Sequence, residues 1–159
     1  MSIALLPGSY DPITLGHLDI ITRAAARFDE VVVAVMNNAA KAYRFTMAER
    51  AELARLATAH IKNVRVLADE GMLVDLFDRL GADVIIKGVR NEVDLAYENE
   101  MAAYNLEKNP RARTELWQAN DALAEVSSTR VREAIGAGVL PNDLLPQAVL
   151  DRLREKGVL

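Results

Sequence analysis

Two stretches of this chain bring together side chains suited to a phosphorylated ligand. The first, Pro7-Gly8-Ser9-Tyr10-Asp11-Pro12-Ile13-Thr14-Leu15-Gly16-His17, has more turn-forming residues than a simple connection needs. Gly8 and Gly16 allow backbone to come close to a ligand, and the Ser9 hydroxyl can bond a phosphate oxygen. His17 adds a donor at a helix start, where free N–H groups already favour an anion. A structural turn with a capping histidine is the competing reading. The second stretch, Val126-Ser127-Ser128-Thr129-Arg130-Val131-Arg132, sets three hydroxyls at a helix start and adds two arginines. A hydroxyl at an N-cap is ordinary, so a plain cap competes here as well. Three hydroxyls with free N–H groups and guanidiniums nearby would also cradle a triphosphate, since each charge-assisted hydrogen bond contributes about 1.5–3 kcal/mol.

The elements that must position these residues alternate along the chain. Ile3 to Leu6 reads as a buried strand. Thr14 to Phe28 reads as a helix, with Leu18, Ile21, Ala25 and Phe28 at helical spacing. Val31 to Val35 is β-branched and continuous, as in a parallel sheet covered on both faces. Thr46-x-x-Glu49 has capping-box spacing and opens a helix to about His60. The reading continues with a strand at Val64 to Leu67, a helix at Leu73 to Leu80 stopped by Gly81, and a strand at Val84 to Ile86. A long helix from Val93 to Lys108, a strand at Thr114 to Trp117, a helix at Thr129 to Ile135 and a helical region at Asp143 to Lys156 complete it. This order predicts an α/β fold: a single Rossmann-like domain over 1–159, with a doubly wound, parallel five-stranded sheet and helices on both faces. Ligands of such sheets bind beyond the carboxyl ends of the strands, where strand order reverses. The candidate segments are therefore Pro7 to His17, Asn37 to Arg44, Lys87 to Arg90 and Ser127 to Arg132.

Composition narrows the function. The chain has 159 residues, 51% of them hydrophobic and 26% charged, which suits one ordinary globular domain. It has no cysteine, so disulfide frameworks, thiolate metal sites and thiol nucleophiles are excluded. A net charge of −4 has the wrong sign for gripping a nucleic acid polymer, while a few converging cations still suffice for a small phosphorylated ligand. No apolar run is long enough to span a membrane, and Ile3 to Leu6, stopped by Pro7, is too short for a signal peptide. The expected location is cytoplasmic. His60 reads as a capping or surface residue and Trp117 as core. Asp69-Glu70 and the charges from Asp151 to Lys156 read as solvated.

Thr14-x-Gly16-His17 followed by Ser127-Ser128-Thr129-x-x-Arg132 resembles the paired motifs of the nucleotidylyltransferase superfamily. Within it, the loop from Pro7 to Ile20, the Phe45-Thr46-x-x-Glu49-Arg50 helix start, Gly88-Val89-Arg90 and Tyr97-Glu98 are similar to the bacterial phosphopantetheine adenylyltransferases, over essentially the whole chain. The resemblance implies transfer of the adenylyl group of ATP to 4′-phosphopantetheine, giving dephospho-coenzyme A and pyrophosphate. It implies that His17 contacts the ATP phosphates and stabilises the transition state. Ser9, Tyr10, Gly88, Val89, Arg90, Glu98, Leu123, Ala124, Glu125, Val126, Ser127, Ser128 and Thr129 would hold ATP. Ser9, Lys41, Leu73, Lys87 and Asn105 would hold 4′-phosphopantetheine. Mg²⁺ on the phosphates, a homohexamer and feedback inhibition by coenzyme A are implied too, with no metal ligand expected from protein side chains.

The chain departs from the family pattern at three places. Lys87 stands where Arg is usual, giving a point charge instead of a bidentate fork. Ala42 and Tyr43 follow Lys41 where a second Lys and a Pro are common, and Leu123-Ala124 lack an aromatic often found there. Two rival readings remain. One is a sister nucleotidylyltransferase acting on nicotinate mononucleotide or a small phosphoalcohol. The other is a module that senses ATP or coenzyme A without turnover.

Overall fold

Five short strands form one sheet in the computed structural model, which describes residues 1–159. They are β1 (Ile3–Gly8), β2 (Glu30–Met36), β3 (Val64–Asp69), β4 (Val84–Val89) and β5 (Thr114–Gln118), in the order β3-β2-β1-β4-β5. Every pairing is parallel. The helices are α1 (Leu15–Arg27), α2 (Met47–Thr58), α3 (Leu73–Leu80), α4 (Glu92–Lys108), α5 (Ser128–Gly136) and α6 (Gln147–Glu155).

Alternation along the central strands divides the core into two layers. Ala4, Leu6, Val31, Val33, Val35, Val84 and Ile86 pack with Ile20, Ile21 and Ala24 of α1, Leu53 of α2, Val131 of α5 and Leu153 of α6. Leu5, Val32, Ala34 and Ile85 point the other way, toward Val74, Leu76 and Phe77 of α3. Both faces of β2 are covered, so Val31 to Val35 are fully buried and the strand carries no polar alternation. The sheet is thus the doubly wound, Rossmann-like α/β sheet expected from the sequence, with its order reversing between β1 and β4.

The register at that reversal opens the site. β1 pairs with β2 along its whole length, from Ile3↔Glu30 to Gly8↔Val35. Its pairing with β4 is confined to Ala4↔Val84 and Leu5↔Ile85. Beyond Leu5 the two strands no longer share a ladder, and Pro7, which has no N–H to donate, lies in that unpaired part. β4 itself runs on to Val89, with Lys87↔Leu116 and Val89↔Gln118 paired to β5. Lys87 and Gly88 therefore sit within a strand, not in the turn after it as the sequence reading had them, because β5 supplies partners that a local pattern does not show.

Local signals account for most helix boundaries. Thr46 Oγ1 accepts from the Glu49 N–H at 3.1 Å and Glu49 Oε1 accepts from the Thr46 N–H at 3.0 Å, the reciprocal cap expected for α2. Gly81 ends α3 with φ of +66°, a conformation that suits a residue without Cβ. The sequence reading lacks a short 3-10 turn at Asp121–Leu123, stabilised by the Asn120 side chain accepting from the Ala122 N–H. Trp117 is only half-buried, because β5 is an edge strand; its ring lies under the Arg23 and Arg27 guanidiniums at 5.7 and 5.4 Å. Asp69 is held by Arg79 and by the Gly71 N–H.

Removing the α2 cap tests this account of its start. Thr46→Ala is expected to lower the unfolding free energy by about 1 kcal/mol in urea titrations, with the slope unchanged.

Candidate active site

A cavity of about 510 Å³ occupies the crevice where β1 and β4 part. The β1–α1 loop forms its floor, and that loop is set by three buried groups. Tyr10 adopts φ of +47°, a left-handed conformation unusual for a side chain of this size. Its ring fills the space a Cβ on Gly8 would need, at 3.1 Å, and its hydroxyl donates to the Leu6 carbonyl at 2.9 Å. A Cβ on Gly8 would therefore crowd the Tyr10 ring, while one on Gly16 would meet only ordinary contacts. Burial raises the Tyr10 pKa well above that of a free phenol, so the ring stays neutral.

The second buried group is Asp11, 1% exposed. Its oxygens accept from the backbone N–H groups of Arg44 at 2.9 Å and Phe45 at 3.0 Å, and its carbonyl accepts from Arg132 Nη1 at 2.9 Å. The third is Arg50, also 1% exposed. Its guanidinium donates to the carbonyls of Ser9, Met36 and Phe45 and to the Asn37 side chain. These two charges join the loop after β1 to the segment after β2 and to α5.

His17 makes the cap that its spacing from Thr14 allows. Its Nδ1 accepts from the Thr14 N–H at 3.0 Å, while Thr14 Oγ1 accepts from the His17 N–H at 3.3 Å, a capping box with histidine in the place of Glu. Nδ1 is thereby committed as an acceptor, which puts the ring proton on Nε2. Nε2 has no protein partner, and His17 lines the cavity. Burial first, then the nearby charges of Lys87 and Arg90, lower its pKa from 6.5 to about 4. At neutral pH the cavity therefore presents an uncharged N–H donor beside two cations.

Each of these cations leans on an acid of α4. Lys87 Nζ lies 3.5 Å from Glu98 and 3.4 Å from the Pro7 carbonyl, bridging the crevice. Arg90 Nε lies 3.1 Å from Asp94. Asp94 and Glu98 are four residues apart and so share one face of the helix. Lys41, on the opposite wall, has no acidic partner. At the start of α5, Ser127 accepts from the Arg130 N–H as a plain cap, Ser128 donates to the Pro12 carbonyl at 2.8 Å, and Thr129 accepts from Arg132 at 3.1 Å.

Of the residues singled out in the sequence, Ser9, Tyr10, His17, Lys41, Lys87, Gly88, Arg90, Glu98, Leu123, Val126, Ser127, Ser128 and Thr129 line this cavity. Five others lie off its lining. Val89 is buried in the strand, and Leu73 packs on the second core layer. Asn105 is buried seven residues past Glu98 on α4, beyond the cavity. Ala124 lies outside the lining, and Glu125 is exposed and pairs with Arg130. The cavity adds Asp11, Thr14, Tyr43, Asp94 and Arg132. Thr14 and Arg132 stand in the quoted motifs and Asp11 and Tyr43 in the candidate segments, without an assigned binding role; Asp94 joins through its contact with Arg90.

A family model described as cytidylyltransferase-like matches residues 5–134, which defines the class as a nucleotidyltransferase on a Rossmann-like sheet. Phosphopantetheine adenylyltransferase of Heliobacterium modesticaldum is 44% identical over 98% of this chain and 93% of its own length. The enzyme of that name from Symbiobacterium thermophilum is 47% identical over 96% and 94%, and that from Limosilactobacillus reuteri 38% identical over 98% and 90%. The chain belongs to the phosphopantetheine adenylyltransferase family.

The imidazole assignment has a direct readout. The chain contains two histidines, so a His60→Gln variant leaves His17 as the one imidazole visible by NMR, with an expected titration midpoint near 4. The unfolded chain takes up that proton near 6.5, so it binds more protons than the folded chain between those values. The stability contributed by neutral His17 is complete above pH 6.5 and is lost as pH falls toward 4. That slope is expected to flatten in His17→Asn.

Proposed function

We propose that this enzyme transfers the adenylyl group of ATP to 4′-phosphopantetheine, releasing pyrophosphate. The observation that carries this reading is the neutral imidazole of His17, its Nε2–H unpartnered, in one cavity with Lys87 and Arg90 at the sheet's switch point. An acceptor phosphate is already ionised at neutral pH, so no side chain needs to remove a proton. Its oxygen bonds to the α-phosphorus as the bond to the β-phosphate oxygen breaks, and pyrophosphate leaves with that electron pair. The protein's part is to align the two phosphates and neutralise the charge that builds between them.

In this reading His17 Nε2–H and Arg90 face the ATP phosphates, while Lys41 and Lys87 face the acceptor phosphate, with Ser9 between them. Glu98 and Asp94 hold Lys87 and Arg90 in place until substrate oxygens compete for them. No group of three or more metal-ligating side chains is present, and Asp11, Asp94 and Glu98 are engaged by N–H groups or cations. These residues fit a magnesium ion held by the phosphates of ATP, which would supply further charge neutralisation. Assembly into a homohexamer and competition by coenzyme A belong to the same reading. Val93, Tyr97 and Tyr104, exposed on one side of α4, are apolar surface that assembly would cover. No helix is long and apolar enough to cross a membrane.

Pyrophosphate release from MgATP should occur with 4′-phosphopantetheine and not with nicotinate mononucleotide or glycerol 3-phosphate. Release with another acceptor would keep the chemistry and overturn the acceptor. ATP binding without release would favour a sensing module. His17→Ala is expected to lower turnover by about 10²–10³ while ATP affinity stays within a few-fold. Lys41→Ala should chiefly raise the KM for 4′-phosphopantetheine; an equal loss for ATP would refute its placement on the acceptor side.

A further inference from the structure

Lys41 is exposed and has no acidic partner, so its position depends on the backbone that presents it. The segment from Asn37 to Phe45 has no helix or strand of its own. A turn closed by the Lys41 N–H donating to the Asn38 carbonyl at 2.9 Å shapes it, with Asn38 Oδ1 accepting from the Ala40 N–H at 2.9 Å. Nothing in Ala39, Ala40 or Ala42 can anchor this turn through a side chain.

Tyr43 supplies the anchor. Its hydroxyl accepts from the Asn38 N–H, lies 3.4 Å from the Asn38 carbonyl and 3.4 Å from Ser9 Oγ. Its ring lies beneath the buried Arg50 guanidinium, 4.1 Å from ring centroid to the guanidinium carbon. Arg50 in turn holds the Ser9 carbonyl at 2.9 Å. The phenol thus ties the base of the Lys41 turn to the one loop that both walls of the cavity share.

We propose that Tyr43 is a positioning residue for the acceptor side of the site: by pinning Asn38 it fixes where Lys41 meets the acceptor phosphate, and by reaching Ser9 it couples that turn to the cavity floor. A rigid ring at this position would restrict the turn through its own backbone. Here a hydrogen bond and a stacked cation do so from outside it. The inference rests on the reading of Lys41 as an acceptor-side cation.

The test keeps the ring and removes the hydroxyl. Tyr43→Phe is expected to raise the KM for 4′-phosphopantetheine by about five- to tenfold, with kcat and the KM for ATP within about twofold, as for the loss of one or two hydrogen bonds. In Tyr43→Phe/Lys41→Ala the acceptor KM should be no worse than in Lys41→Ala alone, because the hydroxyl acts through the lysine. Amide exchange at Asn38 and Lys41 in the unliganded enzyme should speed up at least fivefold in Tyr43→Phe. An unchanged acceptor KM, additive losses in the double variant, or unchanged exchange would each overturn the proposal. If the wild-type enzyme releases no pyrophosphate with 4′-phosphopantetheine, the functional reading fails, and amide exchange alone still decides whether the hydroxyl holds the turn.

Discussion

A guanidinium with no carboxylate against it sits at the centre of this molecule. Arg50 is 1% exposed, and its charge is balanced by three backbone carbonyls, of Ser9, Met36 and Phe45, and by one amide side chain. Burying an ion is costly unless its hydrogen-bonding capacity is filled, so these segments hold their places together or not at all. Asp11 is its counterpart of opposite sign, filled by two backbone N–H groups of the neighbouring segment. Arg50 lies off the cavity lining, and Asp11 is part of it. The loop beneath the other lining side chains is thus fixed by charges whose hydrogen bonds are already filled by backbone.

The cavity itself follows from a shortened ladder. Had β1 and β4 paired as fully as β1 and β2, Pro7, Gly8, Lys87 and Gly88 would be engaged across the sheet and there would be no crevice. The divergence leaves strand residues free to line the cavity, and Lys87 reaches the Pro7 carbonyl with its side chain. Gly88 belongs to the same geometry: a Cβ there would come within 3.0 Å of Ile20, so α1 lies close over β4 and brings His17 toward the cations.

What the sequence displays is local. Hydrophobic period, the Thr46-x-x-Glu49 cap and Gly81 locate most elements, and the paired motifs locate His17 and Ser127. The strand continuing through Lys87 and Gly88 is not visible, because its partner β5 lies 26 residues or more further along the chain and contributes hydrogen bonds, not a pattern. Arg50 reads as one more charged residue in a helix start; only the convergence of the β1–α1 loop with the end of β2 and the segment after it makes it a buried ion. Leu73 and Asn105 stand in none of the quoted motifs, and a family resemblance by itself does not say whether a side chain turns toward the cavity or packs beside it. At His17 the cap alone is a local signal: Nδ1 makes it, and only the fold shows that Nε2 is left without a protein partner beside the cavity.

The edges of the sheet carry a consequence for the protein's life in a crowded solution. An open parallel sheet offers unpaired N–H and C=O groups at both borders, a template on which a stray strand can grow. At β5 an arriving chain meets Trp117 beneath the arginines of α1, with the Arg113–Glu115 ion pair alongside. At β3 it meets Arg65, held at 2.8 Å by Glu30 of the next strand. Desolvating those charges opposes strand addition at either border, so the sheet stays at five strands while its helices remain free to meet other surfaces.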